Sequence, residues 1–248
     1  MARKGDLSPG DGPEAALADT RSYQRSHADA FSEALRISPV TAPDAPLAVV
    51  DIGAGACTVA VAMSECWGAS VANVRYHAVE PHPTMRRLGT AILSEGGWEG
   101  QLVEQVESLD DLSNHAESRL LVTLSYVVHQ SQVTEEDVSA LADFIADQTD
   151  QMERDPEVLI TTVISGSWTL LRRWRTPLLR SQLEDRGVQV EETAESLLVG
   201  HRFPTSNSAM EQRLFELKPE AHDWPIAWIP WRPSTPNVRV CHWRVSNG

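Results

Sequence analysis

Val49-Val50-Asp51-Ile52-Gly53-Ala54-Gly55-Ala56-Cys57-Thr58 is the stretch that decides the fold of this chain. It begins inside a short apolar run, Leu47–Ile52, whose valines mark a parallel strand buried on both faces. Glycines at 53 and 55 permit a tight turn and let the backbone approach a ligand closely. A helix expected from about Thr58 to Trp67 would present unpaired N–H groups and the positive end of its dipole beyond that turn. In open parallel sheets, ligands sit past the carboxyl ends of the strands, where the strand order reverses.

Outward from this turn, strand and helix patterns alternate. Residues 1–20, rich in Gly, Pro, Ala and Asp, read as a flexible leader, and Arg21–Ile37 shows apolar residues at helical spacing. Three prolines in Ser38–Pro46 end that helix. Strands are expected at Arg75–Glu80, Gln101–Val106, Arg119–Val128 and Val158–Ile164. Between them lie helices at Pro83–Glu95 and Glu135–Glu153, the second started by Thr134 as N-cap. Trp168–Arg186 reads as a helix interrupted near Pro177 and stopped by Gly187. Thereafter the pattern is β-like, with candidates at Ser196–Phe203, Gln212–Leu217 and Val238–Val245. The expected architecture is α/β: a doubly wound, Rossmann-like, mostly parallel sheet of about seven strands with antiparallel C-terminal edge strands. One domain is expected over 21–248: a helical cap at 21–46, a core at 47–165, and a helix with C-terminal strands at 166–248.

Composition narrows the function classes. With 248 residues, 42% hydrophobic and 23% charged, the chain has room for one sizeable core. No apolar run reaches bilayer length, and the basic start lacks the apolar stretch of a secretory signal, so a cytoplasmic location is expected. Cys57, Cys66 and Cys241 have neither the number nor the spacing of a disulfide framework or a structural zinc site. A net charge of −14 disfavours a long polyanion as partner.

A dinucleotide fingerprint wants glycines as G-x-G-x-x-G/A for a pyrophosphate. Here Thr58 holds the third place, and Asp51 stands two residues before the first glycine. A carboxylate there opposes a pyrophosphate and suits a ligand with a cationic amino group. From these residues alone, a strand–helix turn with no ligand also stays open.

At Asp51, Gly53, Gly55 and Glu80 the chain resembles the class I S-adenosylmethionine-dependent methyltransferases, over roughly Leu47 to Ile164. Their first motif is an acidic residue followed by alternating glycines, and Cys57 stands where a third glycine is frequent. The resemblance implies S-adenosylmethionine as cofactor, with Glu80, in Tyr76-His77-Ala78-Val79-Glu80-Pro81, holding both ribose hydroxyls. In Pro83–Leu88, the family's next helix, an apolar side chain often flanks adenine. Glu107 and Ser108 match the adenine-holding position, an exposed acidic loop being the alternative. Ser125 and Tyr126 match the segment that supports the cofactor methionine and faces the methyl group. His129, beside Gln130, is the candidate general base, with simple hydrogen bonding to substrate or water as the alternative.

On the substrate side, Tyr23 and His27 share one face of the first helix and are candidates to cap the pocket, while Arg25 reads as solvated. Arg172, Arg173 and Arg175, with Arg180 further on, form the only concentrated basic patch: a site for RNA, or a solvated helix face. Half of the eight tryptophans fall in the last 25 residues, at 224, 228, 231 and 243, and wall either a pocket or the core. A small-molecule acceptor with an oxygen or nitrogen nucleophile is expected. The alternatives are an RNA methyltransferase and a non-catalytic cofactor-binding partner protein.

Overall fold

The computed structural model describes residues 13–98, 100–113, 119–125, 127, 133–152, 155–163, 175–198 and 238–248. Helices α1 (Pro13–Ile37), α2 (Thr58–Trp67), α3 (Pro83–Glu95), α4 (Glu135–Gln151) and α5 (Thr176–Asp185) surround one seven-stranded sheet. Its strands are β1 (Leu47–Ile52), β2 (Val74–Val79), β3 (Leu102–Val106), β4 (Leu120–Ser125), β5 (Glu157–Val163), β6 (Val188–Leu198) and β7 (Val238–Asn247). The order is β3-β2-β1-β4-β5-β7-β6. β1 pairs in parallel with β2 on one side and β4 on the other, so the strand order reverses at the end of β1. β7 runs antiparallel to both β5 and β6, giving the mixed C-terminal edge.

Side-chain alternation along β1 divides the core. Leu47 and Val49 join the layer under α1, α2 and α3, whereas Ala48 and Val50 join the layer under α4 and α5. A strand covered on both faces has no solvent side, which is why it reads as an unbroken apolar run. α4 starts as its sequence implies: Asp137 N–H donates to Thr134 Oγ1 at 3.1 Å, and the Asp137 carboxylate accepts from Thr134 N–H at 2.7 Å.

Two expectations are corrected. α1 begins at Pro13, so residues 13–20 are helical rather than leader. Ala16, Thr20, Gln24 and Ala28, four residues apart, form its buried stripe, and small and polar residues in that stripe hide it from an apolar count. β6 begins at Val188, directly after Gly187 (φ +80°), and not at Ser196. Exposed Glu191, Glu192 and Glu195, with a bulge between Glu192 and Ala194, break the period-two pattern. The strand expected at Gln212–Leu217 lies outside the described residues. Trp243 is buried in the core, and the other C-terminal tryptophans lie outside the described residues. No helix among the described residues is long and apolar enough to cross a membrane.

Candidate functional site

The turn after β1 uses left-handed backbone at alternate residues: Gly53 at φ +65°, Gly55 at φ +55° and Cys57 at φ +59°. A Cβ on Gly53 would stand 2.5 Å from Val127 Cγ2, so the segment after β4 lies directly against the turn and residue 53 must lack a side chain. Cys57 is the single described residue other than glycine with positive φ, a conformation that favours glycine. Its N–H donates to Ala54 O at 2.8 Å, and its buried sulfur accepts from Gln105 Nε2 at 3.3 Å. Room for that sulfur comes from Gly89 of α3, where a Cβ would lie 2.7 Å from Cys57 Sγ.

Glu80, just past the end of β2, is 5% exposed, and its carboxylate is held by two backbone donors. Gly55 N–H donates to Oε2 at 2.8 Å and His82 N–H to Oε1 at 2.9 Å. A carboxylate has about four lone-pair sites, so each oxygen retains one for a further donor. Arg86, in the first turn of α3, donates to Glu80 O at 2.6 Å and Pro81 O at 3.0 Å. Its Nη2 also lies 3.5 Å from Glu107 Oε2, linking the ends of β2 and β3.

Asp51 is wholly buried. It lies between Ala78 on β2 and Thr123 on β4, accepting from the Tyr76 hydroxyl and from Thr123 Oγ1 at 2.8 Å. Burial pushes its carboxyl up to about 7; the two hydroxyls oppose the shift and the Glu80 charge adds to it. The place of Asp51 two residues before Gly53 suits a cationic ligand. The structure engages both oxygens with the Tyr76 and Thr123 hydroxyls beneath the turn, and burial disfavours the charged form.

The other expected residues divide. Glu107 is 70% exposed beside Arg86. Ser108, expected at the adenine-holding position, caps a short 3-10 helix, Leu109–Asp111: its N–H and Oγ donate to Asp111 Oδ2 at 3.2 and 2.8 Å, so both donors are already engaged. Ser125 Oγ accepts from Thr161 Oγ1 at 3.3 Å at the end of β4. Tyr126, His129, Gln130, Arg172 and Arg173 lie outside the described residues, as do the side chains of Tyr23 and Arg25. His27 is half-buried on α1, and Arg175 precedes α5. Arg180 is engaged structurally, 3.0 Å from Glu192 and with its guanidinium 5.2 Å from the centre of the Trp243 ring.

Sequence reasoning missed Tyr76, Thr123, Arg86, Val127 and Gln24. Thr123 had a legible signal, a lone hydroxyl in the apolar run Leu120–Leu124. Gln24 had none: its Nε2 donates to Ala56 O at 2.9 Å from within the buried stripe of α1, a contact only the fold creates.

The site therefore consists of a left-handed turn at the strand-order reversal, gripped by a buried carboxylate from the next strand. The mitomycin 7-O-methyltransferase MmcR shares this fold: TM-score 0.50 and 14% identity over 88% of this chain and 53% of that one. The [4+2]-cyclase SpnF matches at TM-score 0.50 and 10% identity, over 92% of this chain and 83% of that one. The fold is that of the class I methyltransferases. The chain spans about half the length of the mitomycin enzyme. No family model and no curated protein matches it. A cyclase among structures of the class I methyltransferase fold means that the reaction must be argued from the site.

Proposed function

We propose that the chain binds S-adenosylmethionine and transfers its methyl group to an oxygen or nitrogen nucleophile of a small molecule. The observation that carries this reading is Glu80: buried, fixed by Gly55 and His82, and holding one lone-pair site per oxygen for two neighbouring ribose hydroxyls. Gly53 and Gly55 supply backbone without side chains where the amino-acid end would lie, and the buried Asp51 carboxyl below the turn can ionise when a cationic ligand binds. Glu107 and Ser125 are further candidates at the ends of β3 and β4, while Ser108 has both its donors on Asp111. The cofactor supplies a methyl group already activated by a sulfonium.

What remains for the protein is alignment and the fate of one proton. The Val127 side chain packs against Gly53 and fixes the turn where the methyl group would be aligned. His129, after Tyr126, is the residue type that takes a proton from a hydroxyl or amine near neutral pH. A small acceptor is favoured over RNA because the net charge is −14 and Arg180 is already paired with Glu192.

The test is calorimetric titration with S-adenosylmethionine, followed by incubation of cell extract with radiolabelled cofactor and sorting of products into small molecule, RNA and protein. Absence of binding sinks the cofactor reading. Binding with no labelled product sinks the enzyme reading alone.

A further inference from the structure

The turn is gripped from two sides. Glu80 takes the Gly55 N–H at 2.8 Å, while Gln24 reaches from α1 to hold the next carbonyl, Ala56 O, at 2.9 Å. Because a carbonyl only accepts, this bond fixes the orientation of the amide: Nε2 faces Ala56, and Oε1 points away from that carbonyl. Gln24 is 4% exposed, and its Oε1 is a buried acceptor without a hydrogen-bond partner among the described residues. Buried polar atoms are nearly always paired, so an orphan beside a ligand turn implies a donor that arrives with the ligand. Gln101, Gln182 and Thr176 also carry unpaired buried atoms, but Gln24 is the one bonded to the glycine turn.

Resting on the cofactor reading above, we infer that Gln24 is a ligand-binding residue whose Oε1 accepts from the α-ammonium at the amino-acid end of the cofactor. An ammonium offers three donors and no acceptor, and the neighbouring Glu80 carboxylate, bonded to Gly55 of the same turn, favours a cation. Through its other atom, the same amide joins α1 to the turn, so loading the site and docking α1 become one event. α1 thereby contributes to the site through a residue on its buried stripe.

The experiment compares two ligands on wild type and Gln24→Met, a variant of similar length without hydrogen-bonding atoms. S-adenosylhomocysteine carries the ammonium; 5′-methylthioadenosine has the same nucleoside and no amino-acid end. Gln24→Met is expected to weaken S-adenosylhomocysteine on the order of tenfold and 5′-methylthioadenosine less than about twofold. The Tm of the free variant should fall modestly, because the bond to the buried Ala56 carbonyl is lost along with the orphaned oxygen. Equal weakening of both ligands, or of neither, overturns the inference while leaving the cofactor reading intact. Failure of wild type to bind either ligand overturns both. Should Gln24→Met not fold, Gln24→Leu is measured with the same ligand pair.

Discussion

Gly55 and Glu80, twenty-five positions apart in the chain, are joined by an N–H···Oε2 bond of 2.8 Å that ties the turn after β1 to the end of β2. The carboxylate is thus part of the turn's construction before any ligand arrives. Both of its protein partners, Gly55 N–H and His82 N–H, are donors. Glu80→Gln places an NH2 against one of them, removing that bond and opposing two donors. The expected cost is about 1–3 kcal/mol of stability by urea unfolding. Glu80→Ala should in addition weaken S-adenosylmethionine by about 1.5–3 kcal/mol for each ribose hydroxyl deprived of its acceptor, read by calorimetry. Full stability in Glu80→Gln would contradict the structural half of this role.

The backbone of this site was legible in the sequence because it depends on residue types with few substitutes. Alternating glycines, a valine-rich strand and an acidic residue at the end of the second strand each follow from local conformational or burial rules. What was hidden is long-range. Thr123 and Tyr76 reach Asp51 only because β4 and β2 flank β1, and strand order is not written in any one segment. Gln24 meets Ala56 through the docking of α1 on α2. The start of β6 is masked for a local reason, since glutamates face solvent from a bulged edge strand and break its alternation.

Arg86 distinguishes backbone contacts from surface charge. A cation in the first turn of a helix opposes the helix dipole, so its partners must hold it there. Its bonds to Glu80 O and Pro81 O, at 2.6 and 3.0 Å, are charge-assisted, whereas Glu107, 3.5 Å away, is 70% exposed. Arg86→Ala should cost about 1.5–3 kcal/mol in urea unfolding. Glu107→Gln should cost under about 1 kcal/mol, as a solvent-screened pair does. The reverse ranking would show that the ion pair carries the link.

Cys57 and Gly89 share one volume. A Cβ on residue 89 would stand 2.7 Å from Cys57 Sγ and 2.9 Å from Gln105 Nε2, so Gly89→Ala overpacks the contact between α3 and the turn. About 1–3 kcal/mol of destabilisation is expected. Cys57→Gly removes the sulfur and suits the positive φ, so adding it to Gly89→Ala should recover most of that stability. The double-mutant cycle by chemical denaturation reads this coupling directly, and additive effects would exclude the shared volume.

Asp51 gives the site a pH dependence of definite sign. Its carboxyl rises from 3.8 to about 7 on folding, so between those values the folded chain binds a proton that the unfolded chain releases. Its contribution to stability is complete below about 4 and disappears as pH climbs through about 7. Glu104 and Glu157 act in the opposite sense: burial raises each, but hydrogen bonds from His77 and Ser113 to Glu104, and from His242 to Glu157, bring both below their usual value. The measurement is therefore the difference in Tm between Asp51→Asn and wild type across that range. Asparagine stays neutral and can serve both hydroxyls, accepting from one and donating to the other, so the difference should move in the variant's favour as pH rises. A cationic ligand above the turn would favour the charged carboxylate, so wild type at pH near 7 should release part of a proton on binding S-adenosylmethionine, and Asp51→Asn should not. Binding heats in buffers of different ionisation enthalpy measure that proton, and identical values for the two proteins would remove Asp51 from the electrostatics of the site.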